Sequence, residues 1–465
     1  MTNAGLVSHC PRPDKAERPG KCNISFIFAG AAMQYSARME HRFKPRILIL
    51  SESPEGFGHF NITDQLGTTL SQRGATVALA SGSFDHAKVS FDFKHMHKYS
   101  LPGVYSACAE PYDIASGAPY KGALVEARQE RMREICEQFK PDIIVAELFP
   151  FKDSYRAPDL DACRDWMHAR GKAVPVVSLC RDLIRSNEPE TVLQLLDKHI
   201  DRILVRGDGL FSKLEDSMPE WQRITTPIHY TGNIVSPMPA RSTTPSAHDP
   251  VVVFGGGGYK HSEDFPFFAN AIEARAHAGP LGHAPWQLYV SAHCPPEDMQ
   301  ALQALAQTVA PDGSISVQHP IAHADFQQRL SDCGGAIMRG GYNSCFELAA
   351  VQKPFISVPR KYTFSDQLPR AQRMESLGYC AFVHPEQASA EAMGTALAQQ
   401  HAKGPAAEPL NCTGLEGASE AIFSTLRDAR RMPLKAAAAM PRIHPASIRA
   451  AQEQQQQQGN LTRGA

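Results

Sequence analysis

The chain has 465 residues, 43% hydrophobic and 20% charged, with a formal net charge of −1. At ~100–200 residues per domain this is room for two or three domains of a soluble globular protein, and the near-neutral balance gives no reason to expect a nucleic-acid partner. The eleven cysteines include no C-x-x-C pair and read as free thiols of a reducing, cytoplasmic compartment; no apolar run approaches the ~18–20 residues that span a bilayer, which leaves only peripheral membrane contact open.

Residues 1–43 read as a disordered or non-native leader. Asn23–Met33 is apolar but short, and the Pro-rich, charged residues before it make a poor signal-peptide start. Arg46–Ser51 (RILILS) is a strand-like run, followed by Glu55-Gly56-Phe57-Gly58-His59 and then Ile62, Leu66 and Leu70 at helical spacing. Asn61 is placed to cap that helix, Gly74 ends it, and Thr76–Ala80 resumes as a strand. Strand, glycine loop, helix and strand form a βαβ opening. Gly56 and Gly58 let the backbone approach a ligand, and the helix N-terminus attracts an anion. The same loop also fits a plain structural turn.

Leu124–Phe139 has amphipathic helical spacing. Strand runs follow at Ile143–Ala146, Val174–Leu179 and Ile203–Val205. They end in Glu147, in Arg181-Asp182 and in Arg206-Gly207-Asp208, and so suggest one polar rim at the carboxyl ends of parallel strands, where open α/β sheets bind ligands. Arg206-Gly207-Asp208 also spells a cell-adhesion tripeptide, a reading its setting in an α/β pattern disfavours.

Ser236–Pro250 is rich in Pro, Ser and Thr and reads as a linker. The pattern then restarts with the strand Val251–Phe254, four glycines (Gly255, Gly256, Gly257, Gly258) and a helix through 267–276. Four successive glycines are costly to order, and close approach of backbone N–H groups to a phosphate would repay that; a hinge loop is the alternative. No Gly-Lys-Ser/Thr follows, so this is not a P-loop. Strands at Trp286–Val290 and Ser316–His319 and a helix at Asp325–Ser331 lead to the stretch Gly334–Gln372. There a short apolar run meets Arg339-Gly340-Gly341, then a helix containing Asn343, Ser344 and Glu347, a second apolar run, and Asp366-Gln367. Asn343 or Ser344 can cap the helix. Glu347 can accept two hydrogen bonds from a ribose diol, or can close a capping box with Ser344. Asp366 and Gln367 suit sugar hydroxyls or a helix cap. Helices at Ala390–Gln400 and Thr413–Met432 precede a Gln-rich tail, 433–465, read as disordered.

These stretches together resemble the GT-B glycosyltransferases, in particular the MurG-like group. The similarity runs from about Lys44 to Thr425 and is carried by the Gly58-His59 loop, the strand ends at Glu147, Asp182 and Asp208, the segment RGGYNSCFELAAVQKPFISVPR and the SDQLPRAQRMESLG helix. It implies an α/β fold of two Rossmann-like, doubly wound domains facing across a cleft: 44–235 on the acceptor side, a linker 236–249, and 250–432 on the nucleotide-sugar donor side. It also implies that Glu347 holds the ribose of a UDP-type donor. Gly255–Gly258 and the Gly340–Ser344 turn, with Arg339, would face the diphosphate. Gln367 and Asp366 would contact the sugar, and His59 would lie near the acceptor. Arg370-Ala371 stands where the group carries Asn-Ala, which leaves the donor sugar open.

The implied reaction moves a hexose-type sugar, N-acetylhexosamine among the candidates, from a UDP-sugar substrate to an unknown acceptor hydroxyl (glycan, lipid-linked or small molecule). Inversion is the expected outcome, with no separate cofactor. No Asp-x-Asp pair marks a metal site. His59 is the candidate base, since histidine suits proton transfer near neutrality, and Glu147 and Asp182 are the alternatives. A non-hydrolysing nucleotide-sugar 2-epimerase and a non-catalytic nucleotide-sugar-binding subunit are the competing expectations.

Overall fold

A computed structural model describes residues 44–53, 58–84, 92–105, 110–240, 248–256, 258–361 and 366–431. The leader 1–43, Gly56, Gly257, the centre of the linker (241–247) and the tail 433–465 lie outside the described residues.

The first half is built on seven parallel strands. In chain order they are β1 (Arg46–Leu50), β2 (Thr76–Ser81), β3 (Met96–Ser100), then, after a small hairpin of β4 (Val104–Tyr105) and β5 (Tyr112–Asp113), β6 (Ile143–Glu147), β7 (Val176–Arg181), β8 (Arg202–Arg206) and β9 (Ile228–Tyr230). Their order across the sheet is β3-β2-β1-β6-β7-β8-β9. The helices between them are α1 (Gly58–Gln72), α2 (Ala123–Phe139), α3 (Ala157–Ala169) and α4 (Pro189–His199). Both faces of the sheet's centre are covered, so its central strands β1, β6, β7 and β8 are near-continuous apolar runs. Along β1, Leu48 and Leu50 pack toward α2 and α3, while Ile47 and Ile49 pack toward Ile62, Leu66 and Leu70 of α1. Each fully buried Leu, Ile or Val contributes about 1.5–3 kcal/mol. α1 starts at Gly58, so Asn61 lies inside the helix rather than at its cap. Phe60 is drawn into the core, which extends the apolar stripe by a turn, and Asn61 donates instead to Ser236 Oγ (3.2 Å).

The second half repeats the plan with six parallel strands: β10 (Val251–Phe254), β11 (Trp286–Tyr289), β12 (Ile315–Gln318), β13 (Gly335–Met338), β14 (Phe355–Ser357) and β15 (Ala381–Phe382), in the order β12-β11-β10-β13-β14-β15. Its helices are α5 (His261–Ala274), α6 (Pro296–Val309), α7 (His323–Asp332), α8 (Tyr342–Ala350), α9 (Gln367–Ser376) and α10 (Ala390–Lys403). α5 begins six residues before its expected start at 267. The Lys260 N–H donates to the Asp264 carboxylate (2.7 Å), which satisfies the helix entrance that apolar periodicity alone misses.

A last helix, α11 (Gly414–Arg431), returns to the first half. Its Ala418, Ala421, Ile422 and Leu426 join the core of Ile47, Ile62 and Leu66. The expected 250–432 domain therefore gives up its final helix to the other side, because that helix's apolar stripe completes the layer over α1. The chain crosses between halves twice, side by side. Asn233 N–H donates to Asn411 O (3.0 Å), and Gly414 N–H donates to Asn233 O (3.1 Å). A Cβ on Gly414 would stand 2.4 Å from the Asn233 carbonyl carbon, so only glycine permits this approach.

In each sheet the strand order reverses direction once, between β1 and β6 and between β10 and β13. The crevice outside such a switch point is where open α/β sheets bind ligands. Among the described residues, no helix is long and apolar enough to cross a membrane.

Candidate active site

At the second switch point β10 runs into Gly255 and Gly256, the latter at φ 91°. β13 runs into Arg339, Gly340 and Gly341. Gly340 sits at φ 78°, and a Cβ there would meet Ser357 Oγ at 2.7 Å, so both backbone and space demand glycine. The two turns enclose a cavity of about 240 Å³. Gly255, Gly256, Gly258, Arg339, Gly341, Ser344 and Gln367 line it, together with Arg360. Gly340, Asn343, Glu347 and Asp366 do not.

The charge in this cavity is uneven. Arg339 Nη2 lies 3.2 Å from Asp264 Oδ1, and Arg360 Nη2 lies 2.9 Å from Asp264 Oδ2. One carboxylate, 1% exposed, thus serves two guanidinium groups. Arg339 also stacks on Phe267, 4.2 Å from the ring centre. Burial lowers the Arg339 pKa and the neighbouring Arg360 lowers it further, while Asp264 offsets part of the shift. The surplus positive charge and the open N-terminus of α8 suit an anion. Asp264 was not singled out from the sequence; its place in the first turn of an unrecognised helix start was the available signal.

α8 is capped by Gly341, not by Asn343 or Ser344, and no side chain caps it. The capping box of Ser344 with Glu347 does not form. Helix geometry begins at Tyr342, which puts Glu347 in the second turn, out of reach of the cap. Glu347 is 2% exposed. Burial raises its pKa, and the polar side chains of Ser236 and Gln327 nearby offset only part of that. Its Oε1 has no hydrogen-bond partner. A buried carboxylate oxygen left this way costs on the order of 1–3 kcal/mol and is a natural receiver for a ligand's donor.

The rim of the first half is as polar as its strand ends predict. His59, in the first turn of α1, places Nδ1 2.9 Å from Glu147 Oε1 at the end of β6, across the first switch point. Arg206 Nη2 lies 3.2 Å from the same oxygen. Burial opposes ionisation of Glu147, but His59, Arg206 and Arg181 overcome it and hold the pKa below the ordinary value. Glu147 is 1% exposed and its Oε1 is engaged by His59 and Arg206, so it orients the imidazole and has no open route to an acceptor. Asp182 is buried completely; its Oδ2 accepts from Ser212 (2.8 Å), and Arg370 lies 3.6 Å from Oδ1. Of the three candidate bases only His59, with 27% of its side chain exposed, faces the cleft. Arg206 is 2% exposed and the Tyr342 hydroxyl donates to its carbonyl (3.0 Å), which excludes the cell-adhesion reading of Arg206-Gly207-Asp208.

The two halves meet over this rim. A Cβ built on Gly58 would lie 3.6 Å from Asn343 Nδ2, so the first turn of α1 approaches the first turn of α8. Arg181 reaches from β7 to Asp366 Oδ2 (2.9 Å), and Arg370 reaches the same oxygen (2.6 Å). Asp366 is the residue before α9, yet its carboxylate makes no capping bond. Burial opposes its ionisation, but Arg370 and Arg181 hold its pKa well below the usual carboxylate range. Arg370, the departure from the Asn-Ala pattern, is fully buried between Asp366 and Asp182.

A further ionic cluster lies behind β1 and was not legible in the sequence. Arg128 of α2 pairs with Glu52 (2.6 Å) and Asp159 (3.0 Å), all at most 6% exposed. Glu52 also accepts from Ser81, Ser83 and the Gly82 N–H. Its acceptors are satisfied within the protein, so it braces the scaffold.

Residues 314–417 match the glycosyltransferase family 28 C-terminal domain, the segment that carries Arg339 through Gln367. The fold resembles that of Acinetobacter baumannii MurG, at 14% identity and a TM-score of 0.52, over 82% of this chain and 100% of that one. Medicago truncatula UGT71G1, solved in complex with UDP-glucose, gives 10% identity and a TM-score of 0.55 over 83% of this chain and 98% of that one. A putative UDP-N-acetylglucosamine 2-epimerase from Listeria monocytogenes gives 14% and 0.50 over 83% and 98%. At these identities the likeness is one of fold. No curated protein sequence matches. The two facing Rossmann-like domains have a GT-B fold, and the second of them carries the segment that matches the glycosyltransferase family 28 C-terminal domain.

Proposed function

We propose that the protein transfers a hexose-type sugar, N-acetylhexosamine among the candidates, from a UDP-type donor to an acceptor hydroxyl, with inversion and without a metal ion or separate cofactor. The observation that supports this most is the cavity at the β10–β13 switch point, where Arg339 and Arg360 share the single carboxylate of Asp264. The diphosphate sits against these arginines and the N-terminus of α8. Glu347 turns its unpaired Oε1 to the ribose diol, and Gln367 and Asp366 meet the sugar. Positive charge for the leaving diphosphate then comes from guanidinium groups and backbone N–H dipoles rather than from a cation.

In the reaction the acceptor oxygen bonds to the anomeric carbon as the bond from that carbon to the phosphate oxygen breaks. The electron pair leaves with the nucleoside diphosphate. The hydroxyl proton passes to His59 Nε2, and the ionised Glu147 at Nδ1 stabilises the imidazolium that forms. Exclusion of water by the two halves protects the donor from hydrolysis. We place the protein in the cytoplasm, on the strength of its scattered cysteines. The acceptor is a glycan, a lipid-linked molecule or a small molecule.

Thermal unfolding with UDP, UDP-glucose, UDP-N-acetylglucosamine and GDP tests the donor. Saturating UDP ligand at ~100 times its Kd adds about 2.7 kcal/mol to apparent stability. Glu347→Ala abolishes that gain. If no uridine nucleotide shifts the transition, or if Glu347→Ala leaves the shift intact, the donor site is misassigned. Conversion of a UDP-sugar to its epimer without acceptor would replace transfer by epimerisation, and binding without turnover on any acceptor would leave a binding subunit.

A further inference from the structure

Arg181 touches both the candidate base and the donor half. Its Nη1 donates to Asp366 Oδ2 (2.9 Å), and its Nη2 lies 3.2 Å from His59 Nε2. A guanidinium has no acceptor, so at the second contact the imidazole must accept. Nδ1 then carries the ring proton and donates it to Glu147 (2.9 Å). His59 is therefore held in the tautomer that a base needs, while the lone pair that would take the acceptor's proton is already occupied.

The pair that occupies it differs from the other ion pairs of the rim. The side chains of Arg181 and Asp366 are 23% and 19% exposed, against 2% and 1% for Arg206 and Glu147. Water and ligand can reach the first pair and not the second. Asp366 would not be stranded by loss of Arg181, because Arg370 holds the same oxygen at 2.6 Å. A ligand hydroxyl can thus take over the Arg181 position on Asp366 without leaving a buried charge unpaired.

We propose that Arg181 is a positioning residue that sets the His59 tautomer and shields Nε2, and that the sugar of a bound donor frees the base by hydrogen-bonding Asp366. The proposal rests on the donor reading above. It orders the reaction: the donor binds first, the Arg181 tether loosens, and only then does Nε2 meet an acceptor hydroxyl. UDP without its sugar leaves the tether in place.

Ethoxyformylation by diethylpyrocarbonate, which attacks an imidazole nitrogen with a free lone pair, reads this directly when the His59 peptide is followed by mass spectrometry. In the wild-type full chain His59 reacts slowly alone and with UDP. It reacts at least about tenfold faster with saturating UDP-glucose or UDP-N-acetylglucosamine, as expected when the open form is a minor state of ~10% or less in the free protein. Arg181→Met keeps the aliphatic stem, makes His59 react fast without ligand, and removes the response to UDP-sugar. Arg181→Lys restores part of the shielding. An unchanged His59 rate in Arg181→Met with a wild-type melting temperature overturns the shielding, and equal acceleration by UDP and UDP-sugar overturns Asp366 as the trigger. The same samples are melted with each ligand. If no UDP-sugar raises the transition, the donor reading falls; if one binds but His59 reactivity does not change, the gate alone falls.

Discussion

The two halves share one plan and treat charge in opposite ways. Each opens with a strand, a glycine turn and a helix, and each places its turn at the point where strand order reverses. In the first half each buried guanidinium behind the turn has at least one carboxylate of its own: Arg128 meets Glu52 and Asp159, and Arg206 meets Glu147. In the second half one carboxylate, Asp264, is divided between Arg339 and Arg360 beside an open cavity. A buried network in which every cation has its own carboxylate holds a side chain in place, while one short of carboxylate beside a void suits an anion. Under the proposed function, the first half would aim His59 and the second would hold the diphosphate.

The sharpest test of that division is His59→Ala. Turnover falls ~10²–10⁴-fold, the usual contribution of a general base, and UDP-sugar affinity measured by calorimetry is unchanged. A comparable fall in affinity would mean that the first half helps to hold the donor. Arg128→Met comes next. Removing one member of a buried ion pair strands Glu52 and Asp159 and costs about 3–5 kcal/mol in urea unfolding, with no effect on UDP binding by the folded fraction. Arg360→Ala gives the reverse pattern: UDP binding loses about 1.5–3 kcal/mol, the range for hydrogen bonds to charged groups, while the urea midpoint moves little. If Arg360→Ala unfolds the protein and spares UDP, the two arginines belong to the scaffold and the contrast between halves is lost.

The smallest effect concerns the seam between the halves. Asp366 has its pKa lowered in the folded state, by Arg370 and Arg181 against the opposing effect of burial. Its stabilisation is present above the unfolded aspartate value of ~3.9 and is lost as pH falls through the folded value. Wild-type stability should therefore decline on acidification below pH ~4 more steeply than that of Asp366→Asn. Urea midpoints at stepped pH measure the difference, and parallel pH profiles would remove Asp366 from the set of groups that bind the halves together.

The central apolar strands were legible because both faces of each sheet's centre are covered, so runs such as Arg46–Ser51 and Val251–Phe254 need no alternating pattern to stand out. The glycine turns were legible for a related reason: Gly256 and Gly340 adopt positive φ, and little else can sit there. Helix entrances were harder to read. α5 starts at His261 through the bond between Lys260 and Asp264, and α8 is capped by Gly341, so the Ser344–Glu347 box predicts a contact that the backbone does not make. The last helix has a clear stripe, but a stripe does not name its partner, and it packs on the half to which it does not belong in sequence.

The amino-acid sequence by itself determined two α/β halves, the glycine loops at their strand ends and the residue types gathered near them, because those depend on local periodicity and on backbone freedom. Only the tertiary structure decided which of these residues meet. Arg181 and Asp366 are 185 positions apart and His59 and Glu147 are 88 apart. No spacing rule reaches such distances, and the pairs exist because two switch points face each other across one cleft. The same packing reduces three candidate bases to one, since burial and ion pairing withdraw Glu147 and Asp182 and leave His59 at the opening.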